Sequence, residues 1–284
     1  MVSATDVVIA TQIITETLPI SSSSHVWLAQ NIWELFHSVT LTPPSEFFMD
    51  LLNIPTILVI TFFFRRPVFK VFSRVFKLAR KLRFSREEWH WASLWMKIVG
   101  YVIVANLVTL AMYFTFKHFG GNIYTASSTT AVPRIFGWTI TGLLLLSLWL
   151  IRNNYKQTEF SSTKAVLVGL AQGICLLPGI SRLGTTFVAS RWLGLSPRRA
   201  IEYSLLLQGG LLIGNLLKGL RPETLAAEAS KFASWHTFII MALATAISYA
   251  GLRLVVKLAI ARKLWPAGFY LILPIVVTVL FSIF

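Results

Sequence analysis

Apolar positions in this chain gather into six long runs, near residues 47–64, 98–116, 133–151, 201–217, 236–256 and 267–284. Each approaches the roughly 20 apolar residues that a helix needs to cross a bilayer, so each predicts a spanning helix. Two further apolar stretches, near 5–38 and 165–194, are interrupted. The first reads Gln12-Ile-Ile-Thr-Glu16-Thr-Leu-Pro19-Ile-Ser21-Ser22-Ser23-Ser24-His25, and the second Gln172-Gly-Ile-Cys-Leu-Leu-Pro178-Gly179-Ile-Ser181-Arg182-Leu183-Gly184-Thr185-Thr186. Each carries a Gln, then a Leu-Pro break, then a serine nine residues after the Gln. Apolar segments broken by Pro and small polar residues at matching places in two halves predict the broken helices of an inverted-repeat membrane protein, and they point to its binding site. Irregular backbone survives at membrane depth only where protein or a water-filled cavity surrounds it. The expectation is one integral membrane domain over 1–284, with repeat one about 1–116 and repeat two about 133–284.

Composition agrees. The chain has 284 residues, of which 55% are hydrophobic and 13% charged, about half the charged share of a soluble domain. A net charge of +15 raises the question of a nucleic-acid partner. The distribution of that charge answers it. With the loop from Arg65 to Arg86 placed in the cytoplasm and the spans alternating, the outside receives Lys117, Arg134, Lys218, Arg221 and Lys231. Arg182 lies in the membrane, and the rest of the 26 Lys and Arg fall inside. This is the positive-inside bias, and it puts both termini outside. Within residues 68–82, Val68, Val71, Phe72, Val75, Phe76, Ala79 and Leu82 recur at helical spacing among basic residues, as in a helix lying on an anionic leaflet. The partner expected is therefore the bilayer and not nucleic acid. The single Cys175 excludes an intrachain disulfide, and its apolar neighbours suit inert packing. The N-terminus has no signal-peptide pattern, so none is expected to be removed.

Polar residues in the broken segments carry the candidate chemistry. Serines 21–24 are placed to cap a helix through Phe36, and Thr185-Thr186 to open another through Trp192. Two helix N-termini would then face the interior, each with free N–H groups and partial positive charge suited to phosphate or carboxylate. Arg182, flanked by Ser181 and Gly184 in a predicted loop, offers a planar fork for phosphate, or else an ion pair to Glu16 or Asp50. Glu16 is an acid in an apolar run, suited to general-base work or, with Gln12 one turn earlier, to holding Mg²⁺ or Ca²⁺. His25, three residues after Ser22, is placed to activate that serine, to attack phosphorus itself or to protonate a leaving group.

At these residues the chain resembles the bacterial undecaprenyl-pyrophosphate phosphatases. The shared pattern is Gln/Glu-x-x-x-Glu, then Leu-Pro-(Val/Ile)-Ser-Ser and His, followed by Pro-Gly-x-Ser-Arg-x-Gly-x-Thr. The stretch from Gly194 to Ser204 is similar as well. The resemblance implies an all-α integral membrane protein of six transmembrane helices plus two re-entrant helix pairs in inverted repeats. It also implies an active site open to the outer face of the bacterial plasma membrane and a divalent cation, Mg²⁺ or Ca²⁺. Gln12 and Glu16 match the metal-binding pair. Glu16, Ser22, His25 and Arg182 match catalytic positions, and Ser21, Ser181, Gly184 and Thr186 substrate-binding ones. Departures from the pattern are Leu183 in place of serine, Ile13 in place of glycine, Ser24 in place of glycine, and Leu271 where an arginine usually follows the tyrosine.

The function expected is hydrolysis of a polyprenyl pyrophosphate to the monophosphate and inorganic phosphate, recycling the carrier of cell-wall synthesis. The alternative is a transporter or flippase for a phosphate-bearing isoprenoid lipid, which needs Arg182 but neither a nucleophile at Ser22 nor a proton-transfer group at His25. A structural membrane subunit leaves Glu16 and Arg182 unexplained. The expected partner is the pyrophosphate lipid, and a homodimer stays open.

Overall fold

The computed structural model describes residues 3–66, 69, 73, 85–127, 130–151, 158–220, 222–232 and 234–283. Among them every regular element is helical. The amphipathic helix expected over 68–82 lies outside the described residues, apart from Phe69 and Ser73.

The first broken segment folds as α1 (Ala4–Glu16) and α2 (Ser22–His37), and the second as α7 (Ser162–Ile174) and α8 (Arg182–Trp192). Between them come α3 (Glu46–Leu51), α4 (Asn53–Phe63), α5 (Arg86–Ser127) and α6 (Ala131–Ser147). After them come α9 (Pro197–Gly219), α10 (Pro222–Ala229), a 3₁₀ turn, α11 (Trp235–Ile260), α12 (Ala267–Tyr270) and α13 (Ile272–Ile283). Among the described residues four stretches are long and apolar enough to cross a membrane: Glu46–Phe63, Trp95–Phe119, Pro197–Gly219 and Trp235–Ile260. Ala131–Ser147 and Ala267–Ser282 are apolar but shorter.

Two expected spans are broken, and prolines explain both. Pro55 and Pro274 sit in the first turn of α4 and α13. Each lacks an N–H, and each ring crowds the carbonyl four residues back, at Leu51 and Tyr270. Those are the last residues of α3 and α12, so the run 47–64 becomes two helices and so does 267–284. The run expected to end at 151 stops at Ser147 and continues as turns.

The two breaks are built differently. In the first, between α1 and α2, Ser21 adopts φ 67°, ψ 94°, a conformation few residues with a side chain take up. In the second, Gly179 has φ 87°, and a Cβ there would lie 2.4 Å from the Arg134 carbonyl oxygen. A Cβ on Gly137 of α6 would lie 2.1 Å from the Pro178 oxygen, so helix and turn touch backbone to backbone. Thr141 of α6 stitches this contact. Its hydroxyl donates to Gly179 O at 3.2 Å and accepts from Ser181 N at 3.0 Å. Glycine and threonine thus hold an irregular turn inside an apolar core that includes Trp138, Leu145, Leu183, Phe187 and Leu271.

The first helix of each broken pair packs on a long helix remote from it in sequence or topology. α1 packs on α11, while α7 packs on α5. Thr17 and Ser248 join hydroxyls at 3.0 Å, and Thr109 of α5 donates to Gly169 O of α7 at 3.0 Å.

Candidate active site

Glu16 ends α1, is 5% exposed, and gathers four donors. Its Oε1 accepts from Arg182 Nη2 at 3.3 Å and from Gln208 Nε2 at 3.1 Å. Its Oε2 accepts from Gln12 Nε2 at 3.0 Å and from the hydroxyl of Ser22, the first residue of α2. A buried carboxylate is costly unless paired and hydrogen-bonded, and here each oxygen has two partners. The α-helical spacing of Gln12 and Glu16 and the sharp turn at Ser21 bring three of these groups together from one segment. Arg182 arrives from the other.

Arg182 is the first residue of α8, not part of a loop as expected. The Ser181 side chain caps the helix by accepting from Gly184 N at 3.2 Å, so the helix begins three residues before Thr185. At the other break the expected serine cap is absent: Ser21 precedes α2 with no side-chain cap. No side-chain cap therefore accepts from the first N–H groups of α2. The ion pair with Glu16 that the sequence offered as the alternative for Arg182 is present, yet the Arg182 side chain remains 29% exposed toward the cavity. A guanidinium has five N–H donors, so one pair leaves others for an anion.

A cavity of about 420 Å³ opens above this cluster. Glu16, Ser21, Ser22, Ser181, Arg182 and Gln208 line it. Other expected residues lie outside its lining. Gln12 is buried beneath Glu16, its amide also 3.4 Å from Asn53 Oδ1. Gly184 lies in the first turn of α8 against Pro19, where a Cβ would make an ordinary contact at 3.4 Å. Thr186 is 1% exposed, and its hydroxyl turns back onto Arg182 O at 2.8 Å.

His25 does not hydrogen-bond Ser22. Its Nδ1–H donates to Ser21 O at 2.7 Å, a tautomer assigned from the carbonyl it faces, and Nε2 accepts from Tyr270 hydroxyl at 3.3 Å. The ring stacks on Tyr270 and meets Trp138 edge-on, with centroids 5.9 and 5.5 Å away. Leu183 and Leu271, the departures nearest the site, are core residues at 2% and 1% exposure.

Three site residues lie outside the sequence expectation. Gln208 of α9 donates to the Glu16 main-chain carbonyl at 2.7 Å as well as to its carboxylate, so it also satisfies an end-of-helix acceptor. Tyr270 positions His25. Arg134, counted among the outer charges, is buried in α6, donating to Ser24 Oγ at 3.3 Å and lying over the Trp27 ring.

The donor set suits a hard cation. Besides the Glu16 carboxylate, the amide oxygens of Gln12 and Gln208 are buried without a hydrogen-bond partner. Oxygen ligands of this kind match Mg²⁺ or Ca²⁺. Among the described residues no group of three or more His, Cys, Asp or Glu could hold a metal ion, so a cation here would rest on Glu16 and the two amide oxygens.

Comparison with known proteins agrees with this geometry. The family model described as bacitracin resistance protein BacA matches residues 7–277. An undecaprenyl-diphosphatase of Christiangramia forsetii is 32% identical over 234 residues, 81% of this chain and 79% of its own. Proteins of the same name from Methanococcus maripaludis strain C6 and Treponema denticola are 28% and 29% identical, over 92% and 93% of this chain and 92% and 91% of theirs. With a match that takes in both broken helix pairs and every residue around Glu16, this chain belongs to the BacA, or bacitracin resistance protein, family.

Proposed function

We propose that this protein hydrolyses undecaprenyl or a related polyprenyl pyrophosphate to the monophosphate and inorganic phosphate. The observation that carries this is the Ser22–Glu16–Arg182 cluster on the floor of the cavity, where a hydroxyl, a proton acceptor and an anion-binding fork meet. The relatives' name, undecaprenyl-diphosphatase, agrees with it.

Arg182 and the N–H groups at the uncapped start of α2 hold the terminal phosphate and stabilise charge that develops on its oxygens. Ser22 Oγ attacks the terminal phosphorus. The Oγ–P bond forms, the bridging P–O bond breaks, and its electron pair leaves with the polyprenyl monophosphate. Glu16 accepts the Ser22 proton. Water then attacks the phosphoserine, the Oγ–P bond breaks, and Glu16 returns the proton to Oγ as orthophosphate departs. His25 is a positioning residue here: through Ser21 O it holds the turn that presents Ser22. Gln12, Glu16 and Gln208 would hold a divalent cation, which when bound neutralises pyrophosphate oxygens.

The finer architecture belongs to the same reading. α1–α2 and α7–α8 enter and leave the membrane as re-entrant pairs among six spans, and the cavity opens to the outer face. The packing of α1 on α11 and α7 on α5 supports interlocked repeats. A flippase is less favoured, because it has no use for a serine hydroxyl bonded to a buried carboxylate.

The test is inorganic phosphate release from undecaprenyl pyrophosphate by detergent-purified protein, with Mg²⁺ or Ca²⁺ and with EDTA, beside Arg182→Ala. Release by the wild type that Arg182→Ala lowers at least a hundredfold is expected. No release from folded, lipid-binding wild type would overturn the reading.

A further inference from the structure

The cavity above Glu16 has a second charged end. α9 presents Gln208, Leu211, Asn215 and Lys218 to it at spacings of three and four, the interval of one helix face. α5 presents Thr109, Tyr113 and Lys117 in the same way. At 1.5 Å per residue, Lys218 stands about 15 Å along α9 from Gln208, which touches Glu16, and Lys117 about 12 Å along α5 from Thr109. Helical side chains lean toward their N-terminus, which for both lysines is the direction of the floor. Lys218 Nζ lies 5.5 Å from the centroid of the Tyr113 ring, and Tyr113 is one turn before Lys117 on the cavity-lining face of α5.

Both lysines are exposed, and among the described ion pairs neither has a carboxylate partner. The charges of Lys218 and Arg182 both reach Asp50 of α3, which does not line the cavity. The only acid among the described lining residues is Glu16, already engaged by Arg182. Three lining cations against Glu16, with Asp50 behind them, leave an excess of positive charge on the lining, which draws in a polyanion. One phosphate on Arg182 does not use the far pair.

We propose that Lys117 and Lys218 form a second anion subsite that takes the lipid-proximal phosphate of a diphosphate while Arg182 and Ser22 take the terminal one. This rests on the phosphatase reading of the floor. The flexible lysine stems let each ammonium follow a phosphate along the cavity, and Leu110, Phe114 and Leu211 give the first carbons of the tail an apolar wall. The subsite selects the substrate class. A diphosphate fills both ends, whereas a monophosphate, including the lipid product, fills one and leaves.

The test compares wild type with Lys117→Gln, Lys218→Gln and the double variant, all full-length in detergent. Steady-state hydrolysis of undecaprenyl pyrophosphate is measured, with inorganic pyrophosphate and orthophosphate each tested as competitor. In the double variant KM and the pyrophosphate inhibition constant are expected to rise about tenfold or more, the loss of one to two charge-assisted contacts. The orthophosphate constant and kcat stay within about twofold, and Lys→Arg at both positions restores KM. Equal rises for the two competitors would show a general electrostatic funnel and overturn the subsite, as would an unchanged KM. If wild type released no phosphate, the phosphatase reading would fall. Thermal-shift titration with the same two anions would then judge the subsite alone, and equal protection by both would sink it.

Discussion

Ser22 donates its hydroxyl proton to Oε2 of Glu16, so the first residue of α2 and the last of α1 share one proton across a sharp break. The serine is aligned before any substrate arrives, and its proton already faces an acceptor.

Ser22→Ala and Glu16→Gln are therefore expected to lose activity together. Each should lower kcat by about 10² to 10⁴, the range for a positioned proton acceptor and its donor. The double variant should be scarcely worse than either single one, because the two act as a unit. Phosphate-release kinetics on all three check this; multiplicative losses would separate the roles.

Arg182→Lys keeps the charge but loses the planar fork. It is expected to lower kcat/KM by about tenfold to a hundredfold, and Arg182→Ala by more, since a buried carboxylate then loses its cation. Comparing the two by kcat/KM, with size-exclusion profiles as the folding control, decides whether geometry or charge alone is used.

Gln208→Leu leaves the Glu16 main-chain carbonyl without the donor now at 2.7 Å. An unsatisfied buried acceptor costs about 1–3 kcal/mol, so the melting temperature in detergent should fall. The freed carboxylate should lower kcat while KM moves little. A drop in KM-side affinity with unchanged kcat would place Gln208 on the substrate instead.

Activity is expected to vanish in EDTA and return with Mg²⁺ or Ca²⁺. Gln12→Leu removes an oxygen donor whose only described bonds are made by its nitrogen. It should raise the cation concentration for half-maximal activity and also the dissociation constant of bound Mn²⁺ read by electron paramagnetic resonance. An unchanged Mn²⁺ constant would remove Gln12 from the cation site.

Much of this site was legible because a charge or amide in an apolar run has few structural excuses. Glu16, Gln12 and Arg182 stood out on that ground and meet as a cluster. Gln208 did not, because it follows Leu205-Leu206-Leu207 and precedes two glycines in what reads as an ordinary span. Its partner lies 192 residues away, a distance no local pattern reports. Arg182 read as a loop residue because Gly184 follows it, yet the Ser181 cap makes that glycine part of the first helical turn. The role of Arg134 is hidden for another reason. Charge counting reports only the side of the membrane, whereas the packing of this residue over Trp27 depends on burial that the count does not report. The helix breaks at Leu52 and Leu271 are legible in Pro55 and Pro274, whose rings crowd the carbonyl four residues back.

The packing of α1 on α11 sets an order of events during synthesis. α1 leaves the ribosome first, but Ser248, the partner of Thr17, is made 231 residues later. At about 5–20 residues per second, α1 waits roughly 10 to 50 seconds for α11 to emerge. Through that interval Glu16 has Gln12 and Ser22 but lacks Arg182 and Gln208, made 166 and 192 residues later. The nascent chain must be sheltered by the insertion machinery until the second half arrives. Separately expressed halves should consequently each be degraded, and survive only when made together.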